Sequence, residues 1–64
     1  IGSSFIEVLN EIRIGEAKRL LTESNMKVYE IGEKVGYLDN PYFTKIFKKY
    51  TGVTPNQYRN EGHA

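Results

Sequence analysis

Apolar side chains recur along the chain at intervals of three and four, and no strand-like alternation of apolar and polar positions survives, so the pattern predicts helices throughout. In the first, Phe5, Val8, Leu9 and Ile12 form one stripe. Ile14, Ala17, Leu20 and Leu21 form a second, rotated from the first by well over ~100° at helical pitch. Two stripes imply two partners for one helix; the alternative is a single wide core face bent around it. Ser3 or Ser4 can cap this helix just before Phe5, with Glu7 placed for a capping box from Ser4, and Ser24-Asn25 ends it after about Glu23. Gly15 falls near the change of stripe.

The remaining punctuation divides the chain into three shorter helices. Lys27 to Val35 places Val28, Ile31, Gly32 and Val35 on one stripe, and Gly36 follows where a left-handed residue is wanted. Asn40-Pro41 opens the third helix, with Asn40 as expected N-cap and Pro41 in the first turn, and Gly52 closes it after Thr51. Phe43, Ile46, Phe47 and Tyr50 are its expected buried stripe. Thr54-Pro55-Asn56-Gln57 then reads as a cap, a first-turn proline and a glutamine returning to the cap, opening a fourth helix through Tyr58 and Arg59.

Two short helices joined by Gly36-Tyr37-Leu38-Asp39 make a helix-turn-helix, whose second helix can lie in a DNA major groove. A glycine inside a helix costs about 1 kcal/mol relative to alanine, so Gly32 on an apolar stripe implies a close approach of the two helices. The expected fold is all-α: a long helix over 3–24, then a helix-turn-helix and a short C-terminal helix over 27–60 in a homeodomain-like three-helix unit.

Composition narrows the function. The net charge of +1 hides an asymmetry: six acids and four bases over 1–33 make −2, whereas two acids and five bases over 34–64 make +3. A polyanion is the natural partner of the second half. Sixty-four residues bury only about 60% of their unfolded surface, and a start on Ile1 without an initiator Met is expected of a piece of a longer polypeptide. Absent cysteine excludes disulfides and thiolate metal sites and fits a reducing cytoplasm. No apolar run approaches a membrane span. His63 has no carboxylate pair, nucleophile–base arrangement or phosphate-cradling loop beside it, so neither enzyme activity nor a cofactor or metal is expected.

The segment "EIGEKVGYLDNPYFTKIFKKYTGVTPNQYR" resembles the signature of the AraC/XylS-type transcription regulators, and the likeness extends upstream through "SFIEVLNEIRIGEAKRLLTESN". Its most specific pieces are Arg13 to Leu21, Val35 to Tyr37, Tyr42 to Lys48 and Gly52 to Arg59. Gly32 stands where the family more often has Ala, and Tyr37 where Phe is commoner. The resemblance implies two helix-turn-helix units joined by a long helix, each reading one of two successive major-groove segments. This chain would then supply the joining helix and the second unit. The phrasing is most similar to the C-terminal end of two-component response regulators; a sugar-sensing or stress-response parent is the alternative.

Roles follow from the third helix, whose lysines lie away from its apolar stripe. Lys45, in mid-helix, is the candidate for a base edge, since lysine donates to guanine O6 and N7. Tyr42 is placed for a thymine methyl or a phosphate, and Pro41 for apolar contact. Asn40 has two readings, a base contact or the N-cap. Lys48, Lys49, Thr44 and the backbone N–H groups near Lys27 and Val28 are candidates for phosphates. Arg59 is expected to cap carbonyls or pair with an acid as readily as to reach DNA, and Tyr58 to pack. The expected partners are double-stranded DNA, the upstream unit and, for this chain by itself, a second copy. The rival reading is a helical protein-interaction module that grips a partner with Phe5, Leu9 and Ile12.

Overall fold

The computed structural model describes residues 2–62, with side chains from Phe5 onward. Helix α1 spans Gly2–Glu23 and so begins ahead of the start expected at Phe5, the backbone of Ser3 and Ser4 being already helical. The serine side chains expected to cap it, and His63, lie outside the described residues. At its other end Ser24 folds back, its hydroxyl donating to Leu20 O at 2.7 Å and accepting from Met26 N at 3.2 Å, which occupies a terminal carbonyl and turns the chain.

Helix α2 spans Val28–Val35 with Lys27 as N-cap. The Glu30 carboxylate accepts from Lys27 N at 2.9 Å, but lysine has no acceptor to return, so the first-turn amides of α2 have no side-chain cap. Gly36 ends α2 with φ +113°. Helix α3 spans Asn40–Thr51, and its N-cap is Asp39, not Asn40 as the sequence suggested. The Asp39 carbonyl accepts from Phe43 N at 2.9 Å and its carboxylate from Tyr42 N at 3.1 Å. A carboxylate suits the positive end of the helix better than a neutral amide, which lets Asp39 take the cap and Asn40 enter the first turn. Gly52 closes α3 with φ +87°. Helix α4, Pro55–Asn60, starts on the expected capping box: Thr54 N donates to Gln57 Oε1 at 2.9 Å and Gln57 N to Thr54 Oγ1 at 3.1 Å.

The core forms where α1 lies across the other three helices. Ile14, Ala17, Leu20 and Leu21 of α1, Ile31 of α2, Tyr37 of the turn, and Phe43, Ile46 and Phe47 of α3 are all buried. Tyr58 closes one end, packing edge-on against Phe47 with centroids 5.5 Å apart. A Cβ on Gly32 would lie 2.8 Å from Phe43 Cδ2, so the close approach inferred from this glycine is present. Only the second stripe of α1 faces this core. The first stays outside it, Phe5 at 72% exposure, Ile12 at 65% and Val8 also exposed, with Leu9 half-buried. A single wide core face bent around α1 is therefore not what the chain builds.

Polar contacts lock the turn to α1. The Arg13 guanidinium lies 5.3 Å from the centroid of the Tyr37 ring and would be 3.0 Å from a Cβ on Gly36, so that glycine serves both the left-handed backbone and the space for Arg13. The Tyr37 hydroxyl donates to Asn10 Oδ1 at 2.5 Å, and burial pushes its pKa up, keeping it a donor. Arg59 reaches across to cap α1 rather than its own helix, Nε donating to Leu21 O at 3.1 Å and Nη2 to Ser24 O at 3.3 Å. On the exposed side of α1, Arg19 bonds Glu16 and Glu23 and holds the Glu16 carboxyl below its ordinary pKa. Exposed pairs of this kind add little to stability.

Candidate nucleic-acid interface

Burial of Phe43, Ile46 and Phe47 fixes the rotation of α3 about its axis. The opposite side carries Pro41, Lys45 and Lys48, all exposed, each about 100° or more around the helix from the centre of the buried stripe. Two flanks border this face. On one lie Asn40, exposed, and Thr44, half-buried; on the other lie Tyr42, at 48% exposure, and Lys49, exposed. Tyr42 is steadied by the buried Tyr37 ring 5.9 Å away. The last turn of α3 holds Lys48 and Lys49 beside its carbonyl end, the favoured location for cations.

The Asn40 flank opens into a cleft of about 510 Å³. Its walls bring together four of the residues singled out from sequence, Lys27, Val28, Asn40 and Thr44, with Tyr29 and with Thr54, Pro55, Asn56 and Arg59 around the start of α4. Val28 is half-buried, its side chain packing against the core. Thr54 and Asn56 were missed by sequence reasoning, which assigned them to the cap of α4 and no further. Arg59 is present in the wall, yet its guanidinium is committed to the carbonyls of Leu21 and Ser24. Pro41, Tyr42, Lys45, Lys48 and Lys49 are not part of the cleft; the first, third and fourth of these form the outward ridge of α3.

The other flank is different in charge. A smaller recess of about 260 Å³ joins Lys49 and Tyr50 to Glu7 and Glu11 of α1. Two carboxylates thus line this flank beside Lys49, whereas none lines the cleft on the other. Among the described residues no group of His, Cys, Asp and Glu is arranged to hold a metal ion, and no helix is long and apolar enough to cross a membrane.

A ridge of cations on the second helix of a tight two-helix turn, flanked by uncapped amides, is an arrangement for meeting a phosphate-lined groove, and the family likeness agrees. A helix-turn-helix domain family matches residues 1–61. The chain belongs to the AraC-type helix-turn-helix family. The C-terminal domain of the two-component response regulator YesN from Fusobacterium nucleatum is 47% identical, with a TM-score of 0.84 over 86% of this chain and 53% of that one. The C-terminal domain of AraT, a response regulator from Geobacillus stearothermophilus, is 46% identical, with a TM-score of 0.87 over 89% of this chain and 47% of that one. The arabinose operon regulatory protein of Escherichia coli is 37% identical over 59 residues, 92% of this chain and 20% of its own length. The chain spans about a fifth of the length of the curated relatives it matches. These relatives are transcription regulators, and the all-α fold expected from the sequence is the one observed.

Proposed function

We propose that this DNA-binding helix-turn-helix chain is the second of two such units in its parent, that α3 enters a major groove, and that the parent is a bacterial two-component response regulator acting in the cytoplasm. The supporting observation is the division of α3 into a sealed apolar side and a cationic ridge. Lys45 then meets a base edge and Pro41 makes apolar contact beside it. Asn40, relieved of capping by Asp39, is available to a base as well. Tyr42 meets the groove from the flank. Lys48, Lys49, Thr44 and the amides near Lys27 and Val28 hold phosphates, the last two from within the cleft. The likeness to two response-regulator domains favours that parent, and the arabinose regulator keeps a sugar-responsive one as the alternative.

Titration with duplex DNA at two salt concentrations tests the reading, because each neutralised phosphate contributes about −0.9 to the slope of log K against log salt. Lys45→Ala should cost about 1–3 kcal/mol and relax the preference at one base pair, whereas Lys48→Ala should weaken binding to all sequences alike and reduce the salt slope by about 1. Lys49→Ala should likewise weaken binding to all sequences alike. Equal, sequence-independent losses for Lys45 and Lys48 would remove Lys45 from base reading.

The exposed stripe of α1 supports a second contact surface on the same chain, covered in the parent by the preceding unit. Without that cover Phe5, Val8 and Ile12 form an apolar patch that draws in a second copy. Sedimentation should register a concentration-dependent dimer, abolished when Leu9 and Ile12 are replaced by Glu. A monomer at millimolar concentration would count against both the patch and the protein-interaction reading built on it.

A further inference from the structure

Among the described residues Leu38 is the large apolar side chain that the fold leaves most exposed, at 90%. It stands immediately before Asp39, the N-cap of α3. An apolar residue at that position ordinarily packs against the fourth residue of the helix, here Phe43, and fixes the entry of the chain. That use is already taken: the Tyr37 ring stacks on Phe43 with centroids 5.7 Å apart and an interplanar angle of 27°, leaving Phe43 no exposed surface. Leu38 is nevertheless tied at both sides, through the buried Tyr37 bonded to Asn10 and through Asp39 bonded to Tyr42 N. Its backbone is thus held ready, while its side chain has no work inside the molecule.

From these observations we propose that Leu38 reads a thymine 5-methyl group in the major groove, at the end of the site entered by the first turn of α3. The inference rests on the DNA reading above. Recognition helices present their N-terminal residues to base edges, and Leu38 is continuous with that end, one residue ahead of the N-cap of α3. The edges of base pairs in the major groove are otherwise donors and acceptors; the thymine methyl is the apolar feature that a leucine matches. A phosphate offers such a side chain nothing.

The probe is a duplex recovered from a random-sequence pool by the chain at low salt, together with copies in which deoxyuridine replaces each thymidine in turn. That replacement deletes the methyl and leaves the base pairing intact. Burial of one methyl-sized group corresponds to about a fourfold change in affinity, so the chain should bind about fourfold more weakly when one particular thymidine is replaced. Leu38→Ala, an exposed change whose fold is checked by circular dichroism, should bind the two duplexes equally and match the parent chain on the deoxyuridine duplex. Indifference of the parent chain to every replacement overturns the proposal, as does a Leu38→Ala variant that keeps the full methyl effect or binds DNA unchanged, the result expected if Leu38 instead serves a protein partner. These outcomes leave DNA binding itself standing. Absence of any salt-dependent binding to duplex DNA would remove both readings.

Discussion

Phe43→Ala should leave the chain largely unfolded, with a melting temperature lowered by more than about 12 °C. Phe43 has no exposed surface, stacks on Tyr37, meets Phe47 edge-on at 5.9 Å, and lies against the bare backbone of Gly32. Truncating such a ring costs about 3–5 kcal/mol, and the cavity it leaves cannot close, because Gly32 has no side chain to move into it. A chain of 64 residues has roughly 3–10 kcal/mol of stability in total at typical values per residue. The loss is therefore comparable to the whole. Phe43→Leu keeps most of the volume and should retain a cooperative melt by circular dichroism. If the alanine variant melted within a few degrees of the parent chain, the placement of Phe43 at the centre of the core would be wrong. DNA binding should disappear with the fold in this variant, since the same helix carries the core on one side and the cationic ridge on the other.

The elements were legible because their ends are written locally. Gly36, Gly52 and the Thr54–Gln57 box act within a few residues of themselves, and the stripes of α1 and α3 follow a fixed period, so sequence alone locates them. Asn40 was misassigned for a local reason too: two adjacent residues, Asp39 and Asn40, are both competent caps, and the choice turned on charge at the helix end. What sequence could not supply are contacts between distant positions. Tyr37 with Asn10, and Arg59 with Leu21 and Ser24, join residues 27 to 38 apart, and no periodicity encodes them. The same holds for the recess that brings Lys49 and Tyr50 together with Glu7 and Glu11. In the candidate interface, the ridge followed directly from the buried stripe, whereas the cleft needed α2, α3 and α4 to be brought together.

Restoring the preceding helix-turn-helix unit should raise affinity for a duplex offering two successive major-groove segments by about 10²- to 10⁴-fold, from the roughly 10⁻⁴ to 10⁻⁶ M expected of this chain alone. The geometry of α1 makes the gain large. Its 22 residues span about 33 Å, close to the ~34 Å between major-groove segments on one face of DNA, and a rigid connector matched to the span of two sites maximises their effective concentration. Gly15 offers an independent readout of where the neighbour sits. It lies about 20° around α1 from Val8, on the uncovered stripe, and a Cβ there would meet nothing within 4 Å. In this chain Gly15→Ala should therefore stabilise by about 0.5–1 kcal/mol through helix propensity alone. In the extended protein, a unit packed on Phe5, Val8 and Ile12 would press on the added methyl, and the gain should vanish or reverse. Equal stabilisation in the two contexts would mean that the neighbour does not approach α1 at Gly15. An extended protein that bound no tighter than this chain would sink the two-unit reading altogether.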